Sequence, residues 1–159
     1  MAALTASANR LEKYDPAAYR EEFPATDSTQ YFKGCLVGIE NTTGKLVKLT
    51  LATVVRSVWM CEEEVLTGVS TTELIKVRSG IHKFANGDTI LATDIGKIAF
   101  ATDDNTVQKG GAFATECIVG VIEGVDGATA PGGAGVWVRL TAMNHAVIAA
   151  TASTLASGG

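Results

Sequence analysis

Cys35-Leu36-Val37-Gly38-Ile39-Glu40-Asn41-Thr42-Thr43-Gly44-Lys45-Leu46-Val47-Lys48-Leu49-Thr50-Leu51 carries the pattern that decides the fold. Cys35, Val37 and Ile39 recur at period two and share one strand face, and Asn41-Thr42-Thr43-Gly44 reads as a turn. Val47, Leu49 and Leu51 follow at the same period, with Leu46, Lys48 and Thr50 opposite. Two alternating runs around a short glycine-containing loop predict a β-hairpin.

The same alternation recurs downstream. Val54, Val58 and Met60 interleave with Val55, Trp59 and Cys61, as in a strand covered on both sides. Ile75 and Val77 oppose Lys76 and Arg78 before Ser79-Gly80, Phe84 lies in the next run, and Asn86-Gly87-Asp88 is a turn signal. Ile98 and Phe100 alternate with Lys97 and Ala99 up to Asp103-Asp104-Asn105. Ile118-Val119-Gly120-Val121-Ile122 is all apolar, as a central strand would be, and Val136, Val138 and Leu140 alternate with Trp137 and Arg139. Between these last two, Gly124 to Gly135 is rich in glycine and holds Pro131. Seven or eight short strands with frequent turns predict an all-β chain, a compact β-barrel or sandwich.

The 159 residues suit one domain with a genuine core. Three zones are expected: an N-terminal arm over 1–30, a core over 31–140, and a C-terminal arm over 141–159 that lacks Asp, Glu, Lys and Arg. Asp15-Pro16 is a good helix start, predicting a helix of about two turns over Ala17 to Glu22 that ends at Phe23-Pro24. Residues 142–147 are compatible with a helix or an extended arm. Thirteen Lys and Arg against 17 Asp and Glu give a net charge of −4 and no basic cluster, which argues against nucleic acid as a partner. No apolar run is long enough to span a bilayer, and residues 1–15 lack the pattern of a secretory signal, so folding in a reducing cytoplasm is expected. Asn41-Thr42-Thr43 is then a turn rather than a glycosylation site.

Residues suited to catalysis are sparse. Of two histidines, His82 shares a strand face with Phe84 and reads as a structural residue, while His145 lies in the C-terminal arm. Cys35, Cys61 and Cys117 have no zinc-ligand spacing and sit in apolar runs, as buried small hydrophobes do. Glu62-Glu63-Glu64 and Asp103-Asp104-Asn105 read as turns, the latter without the Gly and final Glu of a calcium loop. Gly132-Gly133-Ala134-Gly135 precedes a strand, whereas a phosphate-binding loop follows one and opens a helix. A non-enzymatic protein with no catalytic residues, metal or cofactor is expected.

Long arms around a β core suggest a protein that works by contact. Tyr14, Tyr19 and Phe23 in the N-terminal arm are candidate interface anchors, the alternative being that they staple the arm to its own barrel. Trp137, expected to be exposed, is a fourth candidate and the residue on which a carbohydrate- or ligand-binding β-module would depend. On the arm reading, deleting 1–30 or 141–159 leaves the core folded.

Val77-Arg78-Ser79-Gly80-Ile81-His82-Lys83-Phe84, Asp94-Ile95-Gly96-Lys97-Ile98-Ala99-Phe100, Asp103-Asp104-Asn105-Thr106-Val107, Ile118-Val119-Gly120-Val121-Ile122 and Gly135-Val136-Trp137-Val138-Arg139-Leu140 succeed one another along the chain. Their order resembles that in small bacteriophage virion proteins known as capsid decoration or cement proteins. The likeness spans about 33–140; Ile81 departs from the group's pattern, and the loop before the last strand is longer and richer in Gly and Ala. The resemblance implies a β-barrel protein on the outside of an assembled capsid, with the major capsid protein and two further copies of itself, a homotrimer, as partners. Its place would be the virion surface, touching neither DNA nor membrane. A tail-tube subunit, which would form rings through sheet edges, is the rival within the same class.

Overall fold

The computed structural model describes residues 3–53, 55–110 and 116–140. Among these the chain is all-β, with thirteen strands and one short 3-10 turn. The C-terminal arm expected over 141–159 lies outside the described residues.

The second half of the chain closes a barrel. Its staves are β9 (Ile81–Asn86), β10 (Ile98–Ala101), β11 (Thr106–Lys109), β12 (Ile118–Asp126) and β13 (Gly135–Leu140). They pair in the order β9, β11, β10, β12, β13, and β13 returns to β9, so no stave has a free edge. All contacts are antiparallel except β11 with β9. Closure satisfies both backbone edges of every stave, which a flat sheet of such short strands could not do. Phe84, Val136 and Val138 share one buried face with Ala99, Val119 and Ile122.

The first half builds a five-stranded sheet in the order β2 (Arg20–Pro24), β8 (Leu74–Arg78), β6 (Val55–Cys61), β4 (Leu36–Glu40), β5 (Leu46–Lys48). The expected hairpin is β4–β5, with Val37 opposite Lys48 and Ile39 opposite Leu46, but its second strand ends at Lys48, so Leu46 rather than Leu51 is buried. Its central strands are covered on both faces, as alternation in 54–61 required: Leu36, Val58 and Met60 join the barrel core, while Val37, Trp59 and Cys61 face a second core with Ile75 and Val77. A two-stranded ribbon, β3 (Gln30–Tyr31) with β7 (Val65–Leu66), contributes Tyr31 and Val65 to that second core.

In place of the expected helix over Ala17–Glu22, a turn at Pro16-Ala17 leads into the strand β2, Arg20–Pro24. Asp15 does cap, through Ala17 N–H to Oδ1 at 3.0 Å and Ala18 N–H to its carbonyl at 3.0 Å, but the result is one turn. Two helical turns are too short to hold themselves, whereas β2 gains a ladder on β8 from Arg20↔Arg78 to Pro24↔Leu74. The N-terminal segment also supplies β1 (Glu12–Lys13), paired with Ile81 and His82 of β9. Residues 3–30 are therefore not an arm outside the core; they join barrel and sheet. Tyr19 meets Trp59 edge-on at 5.2 Å and Phe23 meets it at 5.3 Å, so Trp59 is roofed by this segment. Trp59→Ala is expected to cost about 3–5 kcal/mol, read as a lower urea midpoint with an unchanged slope. An effect below about 1 kcal/mol would mean that the roof adds nothing.

Candidate interaction surface

The N-terminal segment is fastened at every few residues. Leu4 N–H donates to Oδ1 of buried Asp104 at 2.8 Å, and Asp104 also pairs with Lys48 at 3.1 Å. Ala8 N–H reaches the Lys33 carbonyl at 2.7 Å. Arg10 donates to Gly34 O at 2.8 Å and to the Asn105 side chain while its guanidinium covers the Phe84 ring at 4.8 Å. Burial pulls the Arg10 pKa down, partly offset by Cys35, Asp104 and Asp103. Arg78 pairs with Glu12 at 2.7 Å, and Arg139 bridges Asp15 and Glu123 at 2.7 Å each. The Asp103-Asp104-Asn105 turn is thus a junction for three chain segments. Among the described residues, no group of three or more His, Cys, Asp or Glu is placed to hold a metal.

On this fixed backbone the four candidate anchors divide. Tyr14, between the fastened Lys13 and Asp15, is 89% exposed. Tyr19 and Phe23 do what the alternative reading described, stapling the segment to Trp59, although Tyr19 keeps an open face. Trp137 is buried, contrary to expectation. It faces Lys83 across the β13–β9 ladder on the outer side of the barrel, and Lys13 from β1 lies over its ring at 4.7 Å. Its indole N–H donates to Asp126 at 2.8 Å. No ring face remains for a sugar to stack on, so the carbohydrate-module reading loses its residue.

Sequence reasoning missed Lys83. Its side chain is buried, and the ammonium pairs with Asp126 at 2.8 Å and donates to the carbonyls of Pro131 (3.1 Å) and Gly133. Lys83 and Trp137 hold the Asp126 carboxyl below the usual carboxylate range. The glycine-rich loop therefore folds around a buried cation, with its carbonyls inward. Gly132, at φ +77°, lies where a Cβ would sit 2.4 Å from the Leu11 side chain, which is why a glycine stands there. Nothing in a one-dimensional pattern ties Lys83 to carbonyls almost fifty residues later.

Exposed apolar side chains the sequence did not single out include Leu66 of β7, Val69 in the turn that follows, Leu74 of β8, and Leu91 and Ile95 around the 3-10 turn Ala92–Asp94. Asp94 anchors that turn: Lys97, the Leu91 N–H and Lys109 hold its carboxyl far below the ordinary range. Leu91 and Ile95 thus project from a fixed loop, as Tyr14 does from the N-terminal segment. The free edge of β2 carries Glu21, Glu22 and Pro24, residues that resist pairing with another sheet.

His82 is fully buried on the inward barrel face, opposite Val138 and Glu12, with Nε2 3.0 Å from the Ser79 carbonyl. Desolvation lowers its pKa against the Ser79 contact and Glu12, with Arg78 and Arg10 adding to the lowering. The unfolded chain then takes up a proton near pH 6.5 that the folded chain resists, so stability is full above that pH and falls below it. Between pH 7 and 5 the loss attributable to His82 is expected to approach about 1.4 kcal/mol per pH unit at most. Urea titrations of wild type and His82→Gln check this; equal pH slopes in the two would refute it.

Comparison with protein-family models, with curated proteins and with solved structures found no match.

Proposed function

We propose that this chain is a structural virion protein that binds the outer surface of an assembled phage capsid and stabilises it by bridging neighbouring capsomers as a homotrimer. One observation carries the reading. Each of the five stretches that resemble capsid decoration proteins reaches into a different stave of the closed barrel, in order from β9 to β13, although the first also takes in the end of β8 and the second and third begin in the turns before β10 and β11. The likeness thus touches every stave of one closed structural unit. Rigidly held, outward-facing Tyr14, Leu91 and Ile95 are the kind of side chain that anchors an interface at low entropic cost. A tail-tube subunit is less favoured, because a ring built by edge pairing needs free edges. The barrel has none, and of the two edge strands of the sheet β2 is charged and ends in proline while β5 is only three residues long.

The test combines light scattering of the purified chain with co-sedimentation against shells assembled from the major capsid protein encoded in the same genome. A saturable, fixed ratio of trimers per capsomer is expected, weakened by Tyr14→Ser without a change in melting temperature. Rings or filaments in solution, or no sedimentation with any form of the shell, would overturn the reading.

A further inference from the structure

Cys35 and Cys61 lie opposite one another at the junction of β4 and β6. The ladder runs Leu36↔Met60, and Cys61 N–H donates to the Cys35 carbonyl at 2.9 Å while Gly34 N–H donates to the Cys61 carbonyl at 2.8 Å. Both cysteines are free and fully buried in the same core. Facing residues of an antiparallel pair have Cα atoms about 4.5–5.5 Å apart, within the span a disulfide bridges. Cys117 belongs to the other core and does not compete.

We propose that Cys35 and Cys61 are a redox-convertible dithiol, closed into a stabilising cross-strand disulfide by a small disulfide of the glutathione type. This inference does not rest on the capsid reading. Cys61 is the attacking thiol. It ends β6 at the Glu62-Glu63-Glu64 turn, and its own S–H donates to the Glu63 carbonyl at 3.1 Å, so opening of that turn exposes it first. The neighbouring Cys35 lowers the Cys61 pKa, whereas Cys61 and burial raise that of Cys35. Cys61 thiolate attacks one sulfur of oxidised glutathione, forming a mixed disulfide and releasing one glutathione thiolate. Cys35 then displaces the second glutathione, giving the Cys35–Cys61 bond. Two thiols are oxidised, one glutathione disulfide is reduced, and the two protons end on two glutathione thiols. A chain folded under reducing conditions would thereby lock β4 to β6 on meeting an oxidising medium.

The full chain is equilibrated without denaturant across glutathione redox ratios, then alkylated and mapped under non-reducing conditions. The expected product has lost two hydrogens, links Cys35 to Cys61 alone, and melts about 5–10 °C above the reduced form. Cys117→Ser is expected to give the same link, and dithiothreitol to return the lower melting temperature. Free thiols at the most oxidising ratio, a persistent glutathione adduct, any link to Cys117, or an oxidised form that melts no higher would each overturn the proposal. The wild-type map decides the linkage even if Cys35→Ser or Cys61→Ser fails to fold.

Discussion

Removal of residues 1–24 is expected to abolish cooperative melting, or to lower the midpoint by more than about 15 °C. The truncation deletes β1 and β2, and with them the ladders on β9 and β8. Trp59 loses both aromatic partners, and its exposure alone costs about 2–3 kcal/mol. Buried Asp104 loses the Leu4 N–H, and leaving a buried acceptor short of a donor costs about 1–3 kcal/mol. Arg139 and Arg78 each lose an acidic partner, although these partly exposed pairs contribute little. With the two lost ladders these terms reach at least the lower end of the stability of an ordinary domain, about 5–15 kcal/mol. Calorimetry on the truncated and full chains checks it, with Tyr14→Ser as a control that should melt like wild type. A truncated chain melting within a few degrees of the full one would restore the dispensable arm.

Residues 1–30 read in the sequence as a dispensable arm, and the reason β1 and β2 are paired instead is physical. Strand pairing at β1 and β2 rests on backbone hydrogen bonds, which leave no mark on composition, and on residues whose burial pattern is mostly exposed. Charged side chains such as Glu12, Asp15 and Arg20 look like a solvated arm until their partners, Arg78, Arg139 and Glu62, are brought near by the fold. By contrast, β4, the two-sided β6 and the central β12 were legible because each buries a run of apolar side chains. Two-residue strands such as β3 and β7 have no period to read, which is why seven or eight strands were expected. The candidate surface was legible only in Tyr14. Exposure of Trp137 depended on Lys13, Lys83 and Asp126, which the chain delivers from three separate strands.

Gly120→Val should be the most damaging single substitution in the barrel, by more than about 4 kcal/mol, although propensity alone argues the other way. Valine is among the best strand formers, and Gly120 sits inside β12 between Ala99 of β10 and Leu140 of β13. A Cβ placed there would lie 1.8 Å from the Arg139 carbonyl oxygen and 2.8 Å from its carbon, and both are backbone atoms that no rotamer change can move. Relief requires β13 to shift away from β12, yet β13 is also the strand that closes the barrel onto β9. The strain therefore falls on closure itself. Gly127→Ala, in the loop that follows, meets nothing within 4 Å and is expected to stay within about 0.5 kcal/mol of wild type. Urea midpoints of the pair separate the two accounts. A Gly120→Val protein as stable as wild type would mean that β12 and β13 do not approach this closely, and with that the closed five-stave barrel would have to be abandoned.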